Sequence, residues 1–303
     1  MFKDNINKLK EKEMFKDLEH NAFLSNAFFI LLVFFVLWAG SFFTGRYISA
    51  YILKGVTDET LKLSLRRIIT CGFQISIFFI WVRFIEKRKI LTLGFRHNKR
   101  RYNFFIGFFI GITTITMITI ALFLVGAIHI EIRKNINMSI NTYVGIVVIV
   151  VSWLIQSVSE EIGIRGWLIP LLGAKYSVAI AILTTSVVFG VLHLFTPTAT
   201  VLSFVNLILS GVCFALYAIS DDCLWGVWGC HFGWNLALGN VYAFSVSGFS
   251  PTDCTIFKIN VVGSNLLTGG SFGPEGGLLA TLVLIIGIII FIFRIQRNSN
   301  RDE

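Results

Sequence analysis

The sequence predicts an all-α membrane protein with about eight transmembrane helices, and three observations carry that prediction. Of the 303 residues, 55% are hydrophobic and only 14% charged, with a mean hydropathy of +0.77; in soluble domains about a quarter of the residues are charged. Eight apolar stretches approach or exceed the roughly twenty residues that a bilayer demands. The lysines and arginines gather in alternate connections between those stretches, which is the signature of a fixed orientation.

In chain order, the spans are expected near residues 23–43, 68–85, 103–128, 142–172, 177–195, 201–219, 223–244 and 278–295. No linker rich in proline or serine divides them, so residues 23–295 read as one transmembrane domain. Residues 1–22 form an amino-terminal tail with five lysines and five acids, helical or frayed, without the apolar run of a signal-peptide core. Met1-Phe2-Lys3-Asp4 recurs in it as Met14-Phe15-Lys16-Asp17, a repeat to which no function attaches. Residues 296–303 form a carboxy-terminal tail. With the amino terminus inside, cytoplasmic segments hold 18 of the 26 lysines and arginines, so both termini are expected in the cytoplasm of a multi-pass protein.

The net charge of +9 is thereby explained by topology and calls for no nucleic acid. The connection 83–102, which ends in Lys99-Arg100-Arg101, holds eight of the basic residues; it serves as a retention signal and also suits anionic lipid headgroups. Five cysteines, Cys71, Cys213, Cys223, Cys230 and Cys254, include no C-x-x-C pair, so neither a disulfide framework nor a zinc ribbon is indicated. Leu267-Thr268-Gly269-Gly270-Ser271-Phe272-Gly273-Pro274-Glu275-Gly276-Gly277 reads as a turn before the last helix, with Pro274 and Glu275 suited to a first helical turn. A substrate-gating lid is the alternative reading of this tract.

Charge inside an apolar helix marks the functional centre. In Ser152–Trp167, two acids and an arginine occupy what otherwise reads as a membrane span. An ionised group at bilayer depth costs roughly 2.5–3.5 kcal/mol on insertion scales, so it faces a partner or a water-filled cavity. Glu161 and Arg165 are four apart and stack on one helix face, where they neutralise each other. Glu160 points elsewhere and is the carboxylate left over, a candidate general base. A purely structural ion-pair cluster would use the same residues.

Two further polar intrusions follow. His193 ends the run Phe189-Gly190-Val191-Leu192-His193 in the fifth span; alone, it reads as readily as a satisfied core histidine. In His231-Phe232-Gly233-Trp234-Asn235 the four-residue step puts imidazole and carboxamide on one face of the seventh span, where interhelical hydrogen bonding is the plain alternative. Together, a carboxylate base, a second imidazole and a pair of donors are the parts needed for attack of water on a carbonyl. No H-E-x-x-H helix occurs, and G-x-S-x-G occurs at Gly269-Gly270-Ser271-Phe272-Gly273 in the tract read as a turn, without the preceding strand of a nucleophile elbow. Counted from the loop between the fourth and fifth spans, Glu160 and His193 lie about 18 and 24 Å along their helices at 1.5 Å per residue. The same count leaves His231 near the cytoplasmic face, in conflict with a shared site.

Glu160-Glu161-x-x-x-Arg165, Phe189-x-x-x-His193 and His231-x-x-x-Asn235, in this order and each on an apolar helix, resemble the three motifs of the CAAX-protease and bacteriocin-processing family (CPBP, or Abi) of intramembrane glutamic endopeptidases. The likeness covers about residues 142–244, and the Leu267–Gly277 tract is similar to that of bacterial members. The resemblance implies an eight-helix fold with its active site inside a bacterial cell membrane. By matching positions, Glu160 would activate water with help from His193, His231 and Asn235 would bind the oxyanion, Glu161 and Arg165 would support them, and Phe189 would shape the pocket. It also implies a peptide or protein substrate, lipid-modified in eukaryotic relatives, and no cofactor. Three other readings stay open at this point. Glu160, His193 and His231 would also make a two-histidine, one-carboxylate zinc site. The fold can serve as a non-catalytic scaffold or a bacteriocin self-immunity factor. Buried acids and histidines also line proton paths, although no inverted repeat supports a transporter.

Overall fold

The computed structural model describes residues 9–10, 12–16, 18, 26–96, 99–133, 140–194, 196–252 and 254–299. The first copy of the amino-terminal repeat, Met1–Asp4, lies outside these residues, as do most of the amino-terminal tail and half of the carboxy-terminal one.

Among the described residues, eight helices of twelve residues or more follow one another in the order predicted. They are α1 Ala27–Ile52, α2 Glu59–Ile80, α3 Arg100–Leu124, α4 Ile140–Glu161, α5 Val178–His193, α6 Val201–Asp221, α7 Trp225–Leu236 and α8 Leu278–Ser299. Six helical segments are long and apolar enough to cross a membrane, Ala27–Ile52, Glu59–Ile85, Arg100–Leu124, Tyr143–Lys175, Val201–Asp221 and Leu278–Asn298, so the chain is a polytopic all-α membrane protein. The apolar α5 has 16 residues and α7 only 12. Neither reaches the usual span length, and α7 is enclosed by protein on almost every side, which frees it from having to match the hydrocarbon thickness.

Polar caps set the helix starts. Asn26, Asp58 and Ser177 accept from the backbone N–H three residues on, at 2.9, 2.7 and 3.2 Å, and Thr200 with Ser203 forms a capping box. Three helices widen into π turns: α2 through Trp81–Ile85, α4 through Ile162–Leu168 before regaining α geometry over Ile169–Lys175, and α7 through Ala237–Val241. Two of these follow directly on the polar motifs, where π turns are often found.

The tightest packing is between α3 and α7. Each offers glycines four apart, Gly107 with Gly111 and Gly229 with Gly233, and a Cβ on any of them would come within 1.9 to 2.3 Å of a carbonyl oxygen of the facing helix. Paired small residues bring backbones together in this way without a solvent-driven hydrophobic effect. One feature goes beyond the helical prediction. Ile128–Ile132 (β1) and Phe257–Val261 (β2) pair antiparallel, with Glu131 opposite Lys258, outside the helical bundle.

At the opposite end, part of the segment read as a free tail is docked. Phe15 is fully buried against Gly173, and the backbone N–H groups of Glu13 and Met14 donate to Asp222 at 3.0 and 3.2 Å. Leu224 N–H donates to Gly94 O at 2.9 Å and its side chain reaches Gly166. Leu224 is therefore level with Gly166. Glu160 is six residues back along α4 and His231 seven residues on along α7, about 9 and 10 Å from that level. This removes the depth conflict: α4 continues to Lys175, well past the point where α7 begins, so counting from loop to loop misjudged the register.

Candidate active site

The carboxylates Glu160 and Glu161 end the α-helical part of α4, and their side chains diverge as expected. Glu161 is fully buried and its Oε1 accepts from Arg165 Nη1 at 3.1 Å and from His231 Nδ1 at 2.8 Å. The Arg165 guanidinium, also fully buried, lies over the rings of Phe189 and Phe214 at 4.7 and 5.5 Å. Two aromatic faces and a carboxylate thus compensate a cation that lipid could not.

Glu160 is set apart from this pair. Its Oε1 accepts from Gln156 Nε2 at 2.5 Å, one helical turn back, and Gln156 Oε1 accepts from Asn235 Nδ2 at 2.9 Å. Glu160 Oε2 is buried, takes no hydrogen bond among the described residues, and lies 3.9 Å from His231 Nε2. Because Nδ1 of His231 donates to a carboxylate, Nε2 is the nitrogen turned to Glu160: an acceptor in neutral imidazole, a donor in imidazolium.

His193, the last residue of α5, is placed differently. Its Nδ1 donates to the Phe189 carbonyl at 2.8 Å, its ring packs on the Phe189 ring at 4.7 Å, and among the described residues it makes no hydrogen bond to Glu160, His231 or Asn235. That bond leaves Nε2 as the reactive nitrogen. The structure therefore gathers Glu160, Glu161, Arg165, His231 and Asn235 into one connected cluster, joins Phe189 to it through Arg165, and leaves His193 beside Phe189 at its edge.

Three participants went unread in the sequence. Gln156 links Glu160 to Asn235; its position four residues before Glu160 was the available signal. Phe214 touches both His231 and Arg165, and nothing in its apolar run distinguished it. Glu275 lies in the short helical turn Pro274–Gly276, as its place after Pro274 suggests, and from there its side chain reaches back into the bundle. Its Oε1 accepts from Trp234 Nε1 at 2.8 Å and its Oε2 from the backbone N–H of Ser247 at 2.6 Å. Burial pushes this carboxyl above its usual range, and the Ser247 and Trp234 donors and the charges of His193 and His231 oppose that rise.

Such a cluster can take a proton at Glu160 and stabilise negative charge from the His231 and Asn235 side, within an apolar surround. Comparison with curated proteins and with solved structures gave no match. Residues 141–237, which include every motif residue from Glu160 to Asn235, match the family model described as type II CAAX prenyl endopeptidase Rce1-like. Over that segment the chain is similar to the type II CAAX prenyl endopeptidases, and the polar motifs that carry the likeness converge here inside the helical bundle.

Proposed function

We propose that this CAAX-type protease hydrolyses a peptide bond in a membrane-associated or lipid-modified substrate, with water activated by Glu160. The observation that carries the reading is the buried Glu160 Oε2, without a hydrogen bond among the described residues and 3.9 Å from His231 Nε2, with Gln156 tying the same carboxylate to Asn235. In the proposed step Glu160 takes a proton from water while the oxygen bonds to the scissile carbonyl carbon. His193 orients that water through Nε2. The carbonyl oxygen, now negative, receives N–H donors from Asn235 Nδ2 and from His231 Nε2 as imidazolium, whose Nδ1–H is held by Glu161. Breakage of the C–N bond returns the proton from Glu160 to the leaving amine.

No metal is needed in this scheme. Among the described residues no three His, Cys, Asp or Glu side chains are gathered as a metal site requires, which supports the reading over a zinc centre at Glu160, His193 and His231. Elemental analysis of active purified protein tests it: stoichiometric zinc lost together with activity on chelation would reverse the preference. The charge count supports cytoplasmic termini, and the Leu267–Gly277 tract a bacterial cell membrane.

The direct test compares the parent, Glu160→Gln and His193→Ala proteins at matched membrane abundance, with released peptides sequenced by mass spectrometry. A product formed by the parent is expected to fall about a hundredfold or more in both variants, and its new terminus names the cleaved bond. An unchanged peptide set with an unchanged phenotype would leave a non-catalytic scaffold or immunity role as the better account.

A further inference from the structure

The strap Leu267–Gly277 is bound to the bundle far more firmly than a connecting turn requires. Asn206 Nδ2 donates to the carbonyls of Glu275 and Gly277 at 2.8 and 3.0 Å, and Asn206 is itself held by Thr281 Oγ1 at 2.7 Å. Gly248 N–H donates to Phe272 O at 3.0 Å. Gly273 adopts φ +96°, and a Cβ there would lie 2.2 Å from Ser245 O, so only glycine meets both the dihedral and the space. The shape that results turns the Glu275 side chain inward, away from the strap and toward α7.

What Glu275 meets there is the motif helix itself. Trp234, which donates to it, lies between His231 and Asn235 on α7. The Trp234 ring stands edge-on to Phe214 at 6.5 Å, and Phe214 lies 5.4 Å from the His231 ring and under the Arg165 guanidinium. Ser247 completes the grip on the carboxylate through its N–H at 2.6 Å and its hydroxyl at 3.3 Å, and does so from a left-handed conformation, φ +48°. A strained serine and a half-buried carboxylate are both costly. A connection with no task beyond closing the loop has no need of either.

We propose that Glu275 is a positioning residue of the active site: by holding the Trp234 indole it fixes the turn of α7 that presents His231 and Asn235, and makes the Leu267–Gly277 strap part of the catalytic architecture. The claim rests on the hydrolase reading for its consequence but not for its geometry. Glu275 lies outside the segment matched by the family model and contacts none of the proposed reacting atoms; its charge acts on His231 at a distance, and its positioning effect passes through Trp234, which Trp234→Phe isolates by leaving that charge in place. Misplacement of catalytic groups by about 1 Å can cost a hundredfold in rate.

The test uses the full chain in lipid nanodiscs with 15N-labelled histidine, the His231 imidazole signals being assigned with His231→Ala. Glu275→Gln and Trp234→Phe are each expected to shift those signals while leaving His129, on β1, in place, and the double variant is expected to shift them no further than the larger single change. In the membrane peptide assay, both variants should lower product formation about tenfold or more at matched abundance. Trp234→Phe keeps an aromatic ring against Phe214, removes the donor and leaves Glu275 itself unchanged, so it carries the same test should Glu275→Gln fail to accumulate. Unmoved His231 signals in folded variants would overturn the proposal and reduce the strap to a clamp. Moved signals together with peptides that Glu160→Gln leaves unchanged would uphold the positioning geometry and fail the hydrolase reading instead.

Discussion

Arg165 and Glu160 sit five residues apart on one helix, yet substituting them should have opposite effects. Arg165 is fully buried, and the carboxylate that balances it, Glu161, is equally buried and also anchors His231. Removing one member of such a pair strands the other's charge in the bundle, at about 3–5 kcal/mol. Arg165→Ala should therefore lower the melting temperature of the detergent-solubilised protein steeply, with activity lost as a by-product of unfolding. Glu160→Gln should change stability by no more than about 1 kcal/mol, because the new amide keeps an oxygen for Gln156 Nε2. A melting curve for each variant settles the contrast; equal losses would mean that Glu160 belongs to the structural pair.

Elements rather than residues decide how the motifs meet. The α3–α7 contact depends on bare backbone at Gly111 and Gly229, where a methyl group would lie 2.2 and 2.0 Å from carbonyl oxygens. Gly111→Ala should cost at least the ~1–3 kcal/mol of an overpacked core. Gly40→Ala on α1, with nothing within 4 Å, should be neutral or slightly stabilising. Parallel thermal melts measure both, and a tolerated Gly111→Ala would show that α3 and α7 can separate without loss. At this scale the sequence was informative in one respect and silent in another. Apolar runs located all eight helices, because hydrophobic length is a local property. The β1–β2 pairing escaped notice although Ile128, Ile130 and Ile132 alternate with polar neighbours, since its partner strand lies more than a hundred residues away and pairing across that distance leaves no local trace. Relative helix depth was illegible for a similar reason: it is set by where Leu224 meets Gly94 and Gly166. Gln156 and Glu275 were missed because their importance comes from partners on α7 rather than from their own neighbours in sequence.

For the whole molecule, the arrangement of charge predicts an orientation that labelling can check. The connections carrying most lysines and arginines share one end of the bundle with the docked turn Glu13–Lys16, and the β1–β2 ribbon and the Leu267–Gly277 strap share the other. In intact cells a cysteine introduced at Thr57 or Ser264 should react with a membrane-impermeant maleimide, whereas one at Lys89 should react only after permeabilisation; the reverse pattern would invert the protein. Along α4 the two ends are joined by the π turn Ile162–Leu168. A π turn amounts to one residue more than a regular helix needs, and one residue is worth about 100° of rotation. The turn therefore works as a phase shifter in a single rod. Ahead of it, Glu160 and Glu161 are aimed at α7; in its last residues, Trp167 is aimed at Glu86, to which it donates at 2.6 Å, and Gly166 at the Leu93 carbonyl. Removing one residue between Ile162 and Leu168 would return the rod to a regular α-helix, and its two halves would then no longer fit their neighbours at the same time.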